Sequence, residues 1–127
     1  MNIRFIKPDE LRNWWPSIRP GLDYLQTKTP EEWIPEDVYS DCFNGRALAF
    51  ALMQDEIVKA YFVLQPMGIY LHIWAAWSLE NNEEIVIEGL KFIKEIARQG
   101  KAQYLTFSSH RKGWQRRARS EERRVGK

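Results

Sequence analysis

The stretch from Gly68 to Trp114 constrains this chain more than any other, because two strand patterns there flank a helix-length segment. Residues 68–77 read as one long strand, 83–98 as an amphipathic helix and 103–108 as a second strand. A strand, a helix and a strand in that order form a crossover, and crossovers to a parallel neighbour are right-handed almost without exception. The joint between strand and helix, Ser78-Leu-Glu-Asn-Asn-Glu-Glu84, is the second constraint. In many folds this joint is glycine-rich and holds a phosphate against the helix N-terminus. Here it has no glycine and carries three carboxylates, Glu80, Glu83 and Glu84.

The rest of the chain supplies the sheet to which that unit belongs. Residues 2–6 alternate polar and apolar side chains and read as a strand. Pro8-Asp9 opens a helix with Leu11, Trp14, Trp15 and Ile18 at helical spacing, which Pro16 and Pro20-Gly21 are expected to break into two short pieces. Thr29-Pro-Glu-Glu32 is a capping box with proline at the first helical position, a start signal. Residues 35–43 read as another short helix, with Val38 and Cys42 inward and Asn44-Gly45 as its stop. Residues 47–53 and 57–64 form a hairpin around Gln54-Asp55-Glu56, a turn unusual in lacking glycine, and Pro66-Met67-Gly68 leads into the long strand. On the crossover helix Val86, Leu90, Ile93 and Ala97 define the inward face. Gly89 on that face is expected to let the helix approach the sheet. Gly100 ends the helix, and Ser109 is expected to cap a last helix over 111–118. The order predicts an α/β fold: a mostly antiparallel twisted sheet, one parallel crossover between the fourth and fifth strands, and helices on both faces.

At 127 residues, with 44% hydrophobic and 13% aromatic content, the chain suits one domain with one real core. No apolar run is long enough to span a bilayer, so no membrane role is expected. Cys42 is alone, which excludes an intramolecular disulfide and fits a reducing cytoplasm. His72 and His110 lack metal-ligand spacing, so no metal is expected. The net charge of +2 hides an asymmetry: residues 111–127 carry eight Lys/Arg against two Glu, leaving the remainder at −4. That basic stretch has two readings, a patch for nucleic acid or membrane, or a non-native tail. Arg119-Ser-Glu-Glu-Arg-Arg-Val-Gly-Lys127 resembles the translation of a sequencing-library adaptor, which would end the natural reading frame near Ala118. On that reading 119–127 is dispensable, the charge implies no partner, and nucleic-acid binding is not expected. The alternative, phosphate contacts from Arg111, Lys112, Arg116 and Arg117 with Trp114 stacking on a base, competes with an ordinary solvated helix face.

The order of elements resembles the GNAT acyltransferase superfamily over residues 2–118, most closely in Ala49-Phe-Ala-Leu-Met-Gln-Asp-Glu-Ile-Val-Lys-Ala-Tyr-Phe-Val63. Thr106-Phe-Ser-Ser-His-Arg-Lys-Gly-Trp114 also resembles small GNAT-like proteins of tailed phages, which would place the protein in host cytoplasm or virion. The resemblance implies a GNAT-like domain over 1–118 whose last two family strands are missing. The fifth strand would then keep an unpaired edge, through which a dimer could form. It also implies acetyl-coenzyme A bound in a splay between the fourth and fifth strands. The pantetheine edge falls on Trp74, Ala75, Ala76 and Trp77, and the pyrophosphate loop on Leu79, Glu80, Asn81, Asn82, Glu83 and Glu84. The family loop reads Gln/Arg-x-x-Gly-x-Gly/Ala, and this chain has neither glycine nor the leading Arg or Gln. A Cβ there blocks close approach of backbone to phosphate. Three carboxylates within about 5–8 Å of a pyrophosphate cost roughly 0.5–1 kcal/mol each. Acetyl-coenzyme A is therefore expected to bind weakly.

For catalysis the strands offer His72, Tyr104, Ser108 and Ser109, of which His72 has the intrinsic pKa of a general base. Trp14, Trp15, Tyr24 and Trp33 are expected to line an acceptor or partner face, since tryptophan and tyrosine are the usual anchors of interfaces. Two functions follow from the resemblance: acetyl transfer to the amine of a small molecule or protein, or a phage-encoded module without chemistry that grips a protein partner with the aromatic face.

Overall fold

Apolar residues occupy consecutive positions in the central strands, as they must when both faces of a sheet are covered. The computed structural model describes residues 1–28 and 31–107, together with the backbone of 123–124. The elements run β1 (Asn2–Ile6), α1 (Leu11–Lys28), α2 (Pro35–Phe43), β2 (Leu48–Gln54), β3 (Ile57–Met67), β4 (Tyr70–Ser78), α3 (Glu83–Gln99), β5 (Tyr104–Phe107) and β6 (Arg123–Arg124). The strands lie in sequence order in one sheet, and β4–β5 is its parallel pair. The expected α/β architecture is the one observed.

Strand alternation sorts the core into two layers. Ala49, Ala51, Tyr61, Val63 and Ala75 pack with Leu11, Ile18 and Leu22 of α1 and with Val38 and Cys42 of α2. Phe50, Leu52, Phe62, Leu64, Leu71 and Leu105 pack on the other face with Ile85, Ile93 and Ala97 of α3. Arg19 ties the two helices of the first layer together through Glu36 at 2.5 Å.

Several local expectations are corrected. α1 is one continuous helix through Pro16 and Pro20. Each proline removes a helical hydrogen bond, but the apolar stripe of Leu11, Ile18 and Leu22 continues past both, and its burial against the sheet outweighs that loss. The helix signalled by Thr29 does not form over 31–34. The start lies at Pro35, where the Asp37 carboxylate accepts the Ile34 N–H at 2.9 Å. The face of α3 is turned relative to the expected one: Ile85 is buried, whereas Val86 and Leu90 are 53% and 43% exposed. Gly89 is not a close-approach glycine either, since a Cβ there would meet nothing within 4 Å.

The two hairpin turns have different chemistry. Asp55 and Glu56 both take positive φ, 53° and 65°, the demand of a type I′ turn normally met by Asn-Gly. Gly68 belongs to a turn, not to the following strand: Met67 pairs with Tyr70, and Gly68 at φ 65° holds the first position, as in a type II′ turn.

The outer edge of β5 is not bare, as had been expected from the missing family strands. Arg123–Arg124 pairs antiparallel with Tyr104 and Leu105, because an edge of unpaired N–H and C=O groups accepts any extended segment that reaches it. The expected last helix over 111–118, Ser108, Ser109 and the remainder of the 119–127 tail lie outside the described residues.

Gly21, read in the sequence as a breaker, serves the packing of α1 on β4. A Cβ at Gly21 would stand 2.2 Å from the Trp77 indole. Gly21→Ala should therefore destabilise the fold by about 1–3 kcal/mol, in spite of alanine's better helix propensity, measured by urea unfolding. An unchanged midpoint would show that Trp77 can move aside at no cost. Glu56→Gly should act the other way and stabilise by about 0.4–1 kcal/mol, since glycine meets the positive φ without strain.

Candidate functional site

The site is created by a fault in the register of β4. Val63 pairs with Ala75 and Leu64 with Ile73, so Trp74 is an extra residue with no opposite number on β3. Such a bulge bends its strand and increases the twist. Its signature here is that Trp74 and Ala75, neighbours in sequence, both pack in the layer beneath α1. Among the described residues, pairing between β4 and β5 runs from Tyr70↔Tyr104 to Ile73↔Phe107, and the bulge follows directly on β4. Trp74, Ala75, Ala76 and Trp77 thus have no strand partner on the β5 side among the described residues.

A groove of about 620 Å³ opens along this edge. Ile85, Val86 and Leu90 of α3 line one wall with Phe107 of β5, and Tyr24, Leu25 and Lys28 at the end of α1 line the other with Trp33 and Glu31. The loop carrying Glu31 and Trp33 is held by Gln26, whose amide nitrogen donates to the Trp33 carbonyl and whose oxygen accepts the Glu31 N–H at 3.2 Å. The Trp33 indole donates to the Glu31 carboxylate at 2.9 Å and meets Trp74 edge-on, with ring centroids 5.8 Å apart. Tyr61 lies on the groove floor against Trp77, and burial raises its phenol pKa, so it stays neutral. The indole N–H of Trp77 is buried with no acceptor among the described residues.

The joint beyond the edge is closed by its own hydrogen bonds. The Leu79 N–H donates to the Lys59 carbonyl at 2.8 Å, Asn82 N–H to the Glu80 carbonyl at 3.0 Å and Ile85 N–H to the Asn82 carbonyl at 3.2 Å. The Asn82 side chain caps α3 by accepting the Glu84 N–H at 2.9 Å. Glu80 pairs with Lys59 at 2.6 Å, while Glu83 and Glu84 occupy the exposed first turn, where the helix dipole favours carboxylates.

His72 is half-buried on β4, its Nδ1 2.9 Å from Thr106 Oγ1 on β5. Burial lowers its pKa, partly offset by the Glu31 carboxylate, so the ring is neutral near pH 7. It is not among the residues lining the groove. Tyr104 stacks on Tyr70 with centroids 5.4 Å apart, away from the groove as well. The four aromatic residues expected on one face are divided. Tyr24 and Trp33 line the groove, but Trp14 packs edge-on to Tyr61 under the Arg4 guanidinium and Trp15 packs edge-on to Tyr39 of α2. Both belong to the α1 layer, because they share the stripe that attaches the helix to the sheet. Gln26, Glu31 and Lys59 were not anticipated, since loop closure and a bulge contact leave no periodic signal. Among the described residues no cluster of three or more His, Cys, Asp or Glu could hold a metal ion.

No family profile and no curated protein matches this sequence. Solved structures do match. The PaiA N-acetyltransferase of Thermoplasma acidophilum in complex with coenzyme A superposes with TM-score 0.62 at 12% identity, covering 94% of this chain and 89% of that one. Tetrahymena GCN5 gives 0.66 at 8% identity over 93% of this chain and 78% of its own. The IAA acetyltransferase of Bacillus cereus gives 0.62 at 15% identity, covering 94% and 73%. The fold is that of the GNAT acetyltransferases.

The environment of His72 has a consequence for stability. Its folded pKa lies below the ordinary 6.5, so the unfolded chain takes the proton first. Stability is full above pH 6.5 and falls as pH drops from there towards the folded value. Glu10, held low by the Lys7 amide and by Arg4, adds its own loss only below its ordinary 4.5. Between those two values His72→Gln should flatten the pH dependence of the urea midpoint. A slope that the substitution leaves unchanged would remove His72 as its source.

Proposed function

We propose that this chain binds an acyl thioester of the coenzyme A type along the β4 edge and transfers the acyl group to an amine. The observation that carries the reading is the bulge at Trp74, which opens an apolar groove along Trp74–Trp77 between β4 and α3. A pantetheine arm is an extended chain with two amides, and an unpaired strand edge offers it backbone partners as a further strand would. The Trp74–Trp77 stretch matches that need in length. In the transfer, the amine nitrogen attacks the thioester carbonyl carbon, the C–N bond forms and the C–S bond breaks. The thiolate leaves and the ammonium proton is shed. That proton passes through solvent to the departing thiolate, since neutral His72, fixed by Thr106 with Glu31 facing it, does not line the groove.

A second reading rests on the joint. With the Leu79, Asn82, Glu84 and Ile85 amides committed internally, the pyrophosphate end of the donor finds few donors and two carboxylates. A binding module without chemistry would use the same groove. Its apolar rim of Tyr24, Val86 and Leu90, continued by the exposed Ile87, would grip a protein. No helix among the described residues is long and apolar enough to cross a membrane, which leaves both readings standing.

Titration calorimetry with acetyl-coenzyme A should give a dissociation constant of about 0.1–1 mM. Amide resonances of Trp74–Trp77 should move on binding. Micromolar affinity would overturn the reading of a closed joint. Unmoved Trp74–Trp77 resonances at saturation would overturn the donor site and leave the protein-binding module.

A further inference from the structure

Glycine-free and acidic, the joint could be a weakened version of a nucleotide site or a site for something else. The hydrogen bonds decide between these. For a pyrophosphate to sit on the α3 N-terminus it must displace Asn82 from the Glu84 N–H, its own carbonyl from the Ile85 N–H, and the Lys59 carbonyl from Leu79. It must then lie beside Glu83 and Glu84, and the nearby ammonium of Lys59 is already held by Glu80 at 2.6 Å. The helix dipole is the one feature there that favours an anion, and Glu83 and Glu84 already meet it. The groove upstream of the joint is complementary to a neutral, partly apolar chain. It offers a β4 edge with no partner among the described residues for amides, and Val86 and Leu90 stand exposed on the α3 wall, where a geminal dimethyl group can rest.

We infer that the acyl donor of this groove is a pantetheine thioester without the nucleotide diphosphate of coenzyme A. The inference rests on the reading of the β4 edge as a pantetheine site and adds the class of donor. The chemistry is unchanged: R–CO–S–pantetheine and an amine give the amide and free pantetheine thiol, with the amine proton ending on the sulfur. Two sources present the same arm, a free acyl-pantetheine and the acylated phosphopantetheine of a carrier protein. Both end before the α3 terminus or bring one phosphodiester in place of a charged nucleotide.

The test compares acetyl-pantetheine with acetyl-coenzyme A by calorimetry on the full chain. Acetyl-pantetheine should bind at least as tightly, and raising salt to about 0.5 M should tighten acetyl-coenzyme A alone, by screening Glu83 and Glu84. The double variant Glu83→Gln, Glu84→Gln should tighten acetyl-coenzyme A by roughly three- to tenfold and leave acetyl-pantetheine unchanged. Acetyl-coenzyme A binding about tenfold tighter than acetyl-pantetheine would overturn the inference while leaving the donor site intact. So would a double variant without effect on coenzyme A binding. Failure of both ligands to bind at about 10 mM would remove the donor site and the inference together. An acetylated carrier protein that binds more tightly than acetyl-pantetheine identifies the carrier as source; equal or weaker binding identifies the free thioester.

Discussion

The extra residue at Trp74 is the constraint from which the functional geometry follows. With one residue too many against β3, the strand turns and two successive side chains face α1. The groove, the seat of Trp33 and the position of the joint are all set by where that bulge falls. The price is borne locally by Trp77, whose indole is pressed onto the α1 backbone at Gly21 with its N–H lacking an acceptor among the described residues.

The frame of the fold was legible because strand rhythm survives burial on both faces. The runs at 47–53 and 57–64 are flanked by polar turns, and the 83–98 segment is long and periodic, so element types followed directly. The misreadings have physical causes. Pro16 and Pro20 are strong local signals, yet a stripe that buries Leu11, Ile18 and Leu22 overrides them. On α3 the apolar positions make two stripes that share Ile93 and Ala97. Periodicity alone cannot tell that Ile85 belongs to the core and Val86 to the groove wall.

The candidate site was legible in part. Trp74–Trp77 and the acidic joint could be placed by their position around the crossover, whereas the bulge at Trp74 leaves no mark in residue type. Trp14 and Trp15 show why aromatic content is a poor guide by itself: the same residue types that anchor partners also anchor a helix. Gln26 shows the reverse, since an unremarkable polar side chain holds the whole Glu31–Trp33 wall.

The short parallel ladder between β4 and β5 has a further consequence for how the molecule opens. β1 to β4 form a meander of neighbouring antiparallel pairs, each closed by a short connection or backed by α1 and α2. Among the described residues β5 joins it through four residue pairs reached across the whole of α3, and on these the α3–β5 unit is the less firmly held cooperative block. The groove lies on the seam between the two blocks, with walls drawn from each. An occupant spanning that seam acts as a stitch, and amide hydrogen exchange in Leu105 and Phe107 would slow on binding.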